Sequence, residues 1–145
     1  MTRLPNSEYA QQVAALPVRR SAGSGSLEVL LVTTRGTGRW VIPKGWPWPD
    51  LADHEAAAEE AREEAGVTGV TNAERFGSFA YGKRHKDGSV TPVQVDVYLL
   101  EVTDEHDSWP EQKYRQRQWF TPDEAAERVQ ESDLKAIIAA LQPLP

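Results

Sequence analysis

Residues 45–67 read GWPWPDLADHEAAAEEAREEAGV, and this stretch decides how the chain folds. Pro47 and Pro49 exclude regular structure from its first part, so residues 44–50 are expected to form a loop. The Ala-rich run that follows predicts a helix. An aspartate, Asp50 or Asp53, is the expected N-cap, and Gly66 is the expected residue that ends the helix.

Four glutamates lie within six residues of this helix, and Arg62 is the one basic residue among them. Residues turn by ~100° along an α-helix, so with Glu60 at 0°, Glu64 lies near ~40° and Glu63 near ~300°. Glu59, near ~260°, shares that side. Like charges at this spacing destabilise a helix unless something neutralises them. Such a run is commonly only a solvated face. The alternative is a divalent cation site, and oxygen ligands without Cys or His suit Mg²⁺ or Mn²⁺.

Length and composition indicate one globular domain over residues 1–145, with 1–10 as a flexible N-terminal segment. The chain has 39% apolar and 26% charged residues and no cysteine, so disulfides and thiolate chemistry are excluded. The net charge of −6 argues against nucleic-acid binding, which needs a basic face. No apolar run approaches a membrane span and no secretory signal is present, so we expect a cytoplasmic monomer or homodimer without a membrane partner.

The remaining sequence alternates between strand and helix signals without an internal repeat. Thr121 is expected to cap a helix with Pro122 at its first position and Glu124 at its third. A last helix begins at Ser132 or Asp133, and the residues Asp87-Gly88 end a basic hairpin turn over residues 83–88. Strands are expected at residues 11–18, 27–34, 40–43, 76–81, 93–100 and 115–120. This order predicts an α/β fold in which helices cover both faces of a mixed sheet.

Spacing within the stretch resembles the signature of the Nudix hydrolase family, Gly-x5-Glu-x7-Arg-Glu-U-x-Glu-Glu-x-Gly-U, in which U is aliphatic. Two positions depart from it, because Leu51 replaces the first Glu and Glu59 replaces the Arg. Residues 30–35, 39–45 and 117–120, with Trp109, look like the diphosphoinositol polyphosphate phosphohydrolase branch. The matching positions of the signature are Gly45, Glu60, Ala61, Glu63, Glu64, Gly66 and Val67.

The resemblance implies a Nudix-type α/β/α sandwich that binds Mg²⁺, with Mn²⁺ as the alternative ion. Glu60 and Glu64 would hold the metal with a backbone carbonyl of Lys44 or Gly45. Glu63 would complete the metal shell or act as the catalytic base, and Glu60 is the alternative base. The expected metal ligands are thus Gly45, Glu60, Glu63 and Glu64.

The substrate expected from this resemblance is a small phosphorylated molecule. We predict hydrolysis of a diphosphate linkage of the diphosphoinositol polyphosphate or diadenosine polyphosphate type. The alternatives are a pyrophosphatase of ADP-ribose or a nucleotide sugar, and a binding module without catalysis. Trp46 and Trp48 either rigidify their loop or stack on a base. Lys86 and Arg115 are further basic candidates. The predicted substrate-binding residues are Thr33, Arg35, Arg39, Lys44, Lys83, Arg84 and Arg117.

Overall fold

The computed structural model of the protein describes residues 9–141. Most of the N-terminal segment expected to be flexible therefore lies outside the described residues. The elements follow in chain order: β1 (Ala10–Arg20), β2 (Leu27–Thr33), β3 (Trp40–Val41), β4 (Lys44–Gly45), α1 (Asp53–Ala65), β5 (Val67–Thr71), β6 (Gly77–Arg84), β7 (Val90–Glu105), β8 (Arg117–Phe120), α2 (Pro122–Arg128) and α3 (Ser132–Ala139).

Within this part of the chain the strands form one mixed sheet. The strand order is β3-β2-β1-β7-β5, with β4 paired to β1, β6 to β7 and β8 to β2. The central strands β1 and β7 run parallel, whereas the other pairings are antiparallel. Parallel strands are normally covered on both faces. The middle of β1 is accordingly buried on both sides.

Helices cover the two faces of the sheet and enclose two apolar clusters. In β1, Val13 and Ala15 belong to one cluster and Ala14 and Leu16 to the other, because successive strand residues point to opposite faces. Helices α2 and α3 cover the second cluster. Helix α1 covers the first with fully buried alanines, which are Ala56, Ala57, Ala61 and Ala65. The predicted α/β fold, with a mixed sheet between helices, is confirmed.

The predicted cap of α2 and the predicted start of α3 are confirmed. The Thr121 hydroxyl accepts a hydrogen bond from the Glu124 N–H over 3.2 Å, and the Glu124 carboxylate accepts one from the Thr121 N–H over 3.1 Å. Helix α3 begins at Ser132 and buries Leu134 and Ile138 against the sheet.

Strand boundaries are where the structure differs from the prediction. The loop expected at residues 44–50 contains β4, which pairs with Val13 and Ala14 of β1. Strand β5 was not predicted, and it is held by the end of β7. The basic turn is shorter than expected, because β6 continues to Arg84. The pairings of β4 with β1 and of β5 with β7 join residues that are distant in sequence, so a local pattern carries little signal for them.

Candidate active site

Helix α1 is fixed at both ends, which sets the directions of its acidic side chains. The prediction that Asp50 or Asp53 is the N-cap of this helix is wrong, because Ala52 occupies that position. The helix begins at Asp53, and Glu55 accepts a hydrogen bond of 2.9 Å from the backbone N–H of Ala52. At its other end Gly66 has a φ of 69°, a left-handed conformation that favours glycine, and ends the helix as predicted.

Two glutamates of this helix are buried. Glu60 is 9% exposed and Glu64 is 6% exposed. The Trp48 indole N–H donates to Glu60 over 3.2 Å, and the backbone N–H of Lys44 donates to Glu64 over 3.3 Å. Burial raises the pKa of the Glu60 carboxyl above its usual range and raises the pKa of Glu64 to about 8. Both carboxylates would be stabilised in their ionised form by a cation beside them.

Gly45 lies directly against the Glu60 carboxylate. A Cβ atom at position 45 would be 2.4 Å from the carboxyl carbon of Glu60, closer than real Cβ contacts allow. Glycine therefore leaves room for the carboxylate beside the backbone of β4. The oxygen ligands that the structure places here are two buried carboxylates beside the backbone of β4, and carboxylate oxygens suit Mg²⁺ or Mn²⁺. The residues present fit a divalent cation near Gly45, Glu60 and Glu64.

Glu59 and Glu63 lie outside this buried pair. Arg62 donates to Glu59 through Nε over 3.2 Å and through Nη2 over 3.1 Å, and its Nη2 is 3.6 Å from a Glu63 oxygen. Among residues 9–141, no three acidic or histidine side chains form a preassembled cation cluster. The structure thus brings Glu60 and Glu64 together with Gly45 and leaves Glu63 beside Arg62.

Glu60 and Glu64 line an open cleft of about 680 Å³. Three of the predicted substrate-binding residues also line it, and they come from three different segments: Arg35, Lys44 and Lys83. The Nζ atom of Lys44 lies 4.9 Å from the centre of the Tyr81 ring, and burial lowers the pKa of this amine. The cleft therefore combines positive groups with two buried carboxylates.

The other predicted substrate-binding residues are not among those that line this cleft: Thr33, Arg39, Arg84 and Arg117. Thr33 borders an adjoining groove, and its hydroxyl accepts a hydrogen bond of 2.9 Å from the Gln116 N–H. Arg39 lies 3.2 Å from Glu131 in an ion pair. Arg84 is the last residue of β6.

Arg117 binds the C-terminal end of helix α1. Its guanidinium donates to the carbonyl of Ala65 over 2.8 Å and to that of His106 over 2.7 Å. It also stacks on the ring of Trp109 at 4.0 Å. A positive charge at this end complements the helix dipole. These contacts give Arg117 a structural role that the sequence did not indicate.

Two cleft residues were missed or undervalued from the sequence. Glu111 lines the cleft, and its backbone N–H donates to the carbonyl of Glu63 over 3.0 Å. It lies in an acidic connection without any recognisable pattern. Arg115 also lines the cleft and is only 12% exposed. Leu51, which stands where the signature has its first Glu, packs against the apolar cluster under α1.

The two tryptophans of the loop before α1 both line the cleft. Trp48 is held by its hydrogen bond to Glu60, which gives it a positioning role. Trp46 is 49% exposed. A planar group in the cleft has access to this ring.

Comparison with known proteins agrees with the fold. The NUDIX domain family model matches residues 8–141. The chain is 36% identical to Nudix hydrolase 21, chloroplastic, of Arabidopsis thaliana, over 97% of this chain and 70% of that protein. It is 33% identical to diphosphoinositol polyphosphate phosphohydrolase 3-beta of Bos taurus, over 71% of this chain and 60% of that protein. A C. elegans Ap4A hydrolase binary complex has the same fold, with a TM-score of 0.65 at 19% identity, over 90% of this chain and 93% of that one.

These findings identify the chain as a member of the Nudix family of pyrophosphohydrolase enzymes. Across five of the Arabidopsis Nudix hydrolases that it matches, the chain spans 51% to 70% of their length. In the described residues, no helix is both long enough and apolar enough to cross a membrane.

Proposed function

We propose that the protein hydrolyses a diphosphate linkage in a phosphate-rich small molecule, with Mg²⁺ as its cofactor. One observation carries this proposal: buried Glu60 and Glu64 share a cleft with the basic residues Arg35, Lys44 and Lys83. Buried carboxylates attract a divalent cation, whereas basic side chains attract phosphate oxygens. A cleft that carries both negative and positive side chains suits a complex of a metal cation with a polyphosphate.

Glu60, Glu64 and the backbone carbonyl of Gly45 would hold the cation, with Mn²⁺ as the alternative ion. When bound, it neutralises charge on the phosphate oxygens and makes water a better nucleophile. The water oxygen bonds to phosphorus as the bond from phosphorus to the bridging oxygen breaks. A carboxylate takes the proton of the water. Glu63 and Glu60 are the candidate bases: Glu60 already lies in the cleft, whereas Glu63 must leave Arg62.

The exposed ring of Trp46 favours a second type of substrate within the same reaction class. A nucleobase stacks on an aromatic ring, whereas an inositol ring has no π face. Nucleoside diphosphate derivatives such as ADP-ribose would use this ring with few phosphate contacts. A diadenosine polyphosphate would use both the ring and the basic residues of the cleft.

A substrate panel tests this proposal. Product release is measured from a diphosphoinositol polyphosphate, a diadenosine polyphosphate, ADP-ribose and a nucleotide sugar, each with and without Mg²⁺. We expect Mg²⁺-dependent turnover that is fastest for one of the two phosphate-rich compounds. Equal kcat/KM for all four compounds would contradict the phosphate-rich assignment and leave a general diphosphate hydrolase.

A further inference from the structure

We propose that Arg115 is a positioning residue that holds the carboxylates of Glu64 and Glu111 in the cleft. It acts from the segment just before β8 and does not itself contact the substrate. This inference rests on the proposed function, because it assigns a role within the same cation site.

Arg115 uses all three nitrogens of its guanidinium group within the protein. Its Nε donates to Glu111 over 2.8 Å, and its Nη1 donates to the backbone carbonyl of Thr33 over 3.0 Å. Its Nη2 lies 3.6 Å from a carboxylate oxygen of Glu64. The side chain of Arg115 is 12% exposed and that of Glu64 is 8% exposed. One arginine thus joins the end of β2, the helix α1 and the segment that carries Glu111.

The backbone beside Arg115 is also anchored to the end of β2. The N–H of Thr33 donates to the carbonyl of Gln116 over 3.1 Å, and the N–H of Gln116 donates to the hydroxyl of Thr33 over 2.9 Å. A planar guanidinium donates hydrogen bonds in fixed directions. Anchoring the backbone next to Arg115 therefore also restricts the positions of the carboxylates that its guanidinium contacts. The geometry of Glu64 and Glu111 is therefore set before a ligand enters.

Helix α1 itself does not supply the positive side chain that contacts Glu64. Position 59, where the family signature has arginine, carries Glu59 in this chain. Arg62 contacts Glu59 and Glu63 on the outer side of the helix. Among the ion pairs of residues 9–141, the one that reaches Glu64 is made by Arg115. Arg115 therefore compensates the charge of Glu64 from a different part of the chain.

Exposure separates Arg115 from the basic residues that suit phosphate binding. Arg35 and Lys83 are exposed where they line the cleft. Arg115 is nearly buried, and each of its nitrogens already has an acceptor or an ion-pair partner. A side chain in this state orients its neighbours more readily than it binds an incoming phosphate.

The test compares Arg115→Gln and Arg115→Lys with the wild type. Mn²⁺ alone is the probe, and its affinity is measured by isothermal titration calorimetry without substrate. We expect Mn²⁺ to bind ~10- to 100-fold more weakly to both variants, the usual loss for residues that support metal ligands. The Lys variant recovers little, because an ammonium cannot contact all three acceptors in the same geometry. In steady-state assays we expect kcat to fall while KM changes little.

Arg19→Gln is the matched control. Arg19 also contacts two carboxylates, at 2.9 Å and 3.1 Å, but it does not line the cleft. This variant should keep the Mn²⁺ affinity and kcat of the wild type. Thermal unfolding is measured for all variants. If Arg115→Gln does not fold, the Mn²⁺ affinity of Arg115→Lys tests the inference.

Two results would overturn the inference about Arg115. Variants that bind Mn²⁺ like the wild type show that Arg115 does not position the cation site. A raised KM with unchanged kcat shows that it binds phosphate instead. Failure of the wild type itself to bind Mn²⁺ or to hydrolyse any of the four diphosphate compounds contradicts the proposed function, so the two failures are distinguishable.

Discussion

Gly45 and Glu60 are in direct contact, and the Glu60 carboxylate occupies the space that a side chain at position 45 would need. Gly45 belongs to the short strand β4, whereas Glu60 lies in the second half of helix α1. The pairing of β4 with β1 and the packing of α1 on the same sheet bring them together. This contact joins the loop and the helix of the site into one unit.

Gly45→Ala should disturb the cation site more than the stability of the fold. The added methyl group would displace the Glu60 carboxylate, so we expect Mn²⁺ affinity and kcat to fall at least ~10-fold, the low end for loss of support around a metal ligand. Calorimetry and steady-state kinetics measure both quantities. Gly23→Ala is the control, because a Cβ there meets no atom within 4 Å. Equal behaviour of the two variants would contradict this contact.

The glutamates of α1 should differ in their importance for the reaction. We expect Glu60→Gln or Glu63→Gln, whichever removes the catalytic base, to lower kcat by at least ~10²-fold, the low end for loss of a general base. Glu59→Gln should have a much smaller effect, because Glu59 stands where the family signature has arginine and is neither a proposed base nor a proposed metal ligand. The kinetics of the three purified variants decide this. If Glu59→Gln were the most damaging, the alignment of the signature on this helix would be wrong.

The raised pKa of Glu64 predicts a pH-dependent stability of the metal-free protein. Burial raises the pKa of this carboxyl from its ordinary 4.5 to about 8. Between these values the folded state holds a proton that the unfolded state has lost, so this group lowers the free energy of unfolding as pH rises from about 4.5 to about 8.

Unfolding curves of the wild type and Glu64→Gln across this range measure that contribution. The variant should lose less stability than the wild type as pH rises. Since a cation binds the ionised carboxylate, Mg²⁺ should raise the Tm of the wild type more at the upper end of the range than at the lower end. Parallel pH profiles for the two proteins would show that Glu64 titrates normally.

The exposed basic residues of the cleft should control substrate affinity. We expect Arg35→Ala and Lys83→Ala to raise KM for polyphosphate substrates and to leave Mn²⁺ affinity unchanged. The effect should weaken with added salt, because exposed charges are screened over ~10 Å at 0.1 M ionic strength. Arg117→Ala should instead lower the Tm, since Arg117 binds the end of α1. A larger rise in KM for Arg117→Ala than for Arg35→Ala would contradict this division.

The direction of each glutamate could in part be predicted from the sequence. With Glu60 at 0°, Ala57 lies near ~60° and Ala61 near ~100°, so Glu64 at ~40° falls among the buried alanines. Ala56, near ~320°, marks the edge of the buried arc, and Glu63, at ~300°, lies just outside it. The alanine positions therefore carry the signal that separates the buried glutamates from the outer ones.

The basic residues were harder to place, because their positions depend on strand pairing. Arg115 and Arg117 are two residues apart and look equivalent in the sequence, yet one contacts Glu64 and the other binds the carbonyl of Ala65. β8 pairs with β2, and no local pattern encodes that register. Glu111 reaches the cleft through another long-range contact, the hydrogen bond from its backbone N–H to the carbonyl of Glu63.

The most direct test of the central claim measures product release from the preferred diphosphate substrate with Mg²⁺ and with excess EDTA. Glu60 and Glu64 are buried beside Gly45, and the proposed reaction requires a cation at these carboxylates. We predict that activity disappears with EDTA and returns when Mg²⁺ is added back. Full activity in excess EDTA would contradict the metal-dependent reaction at this site.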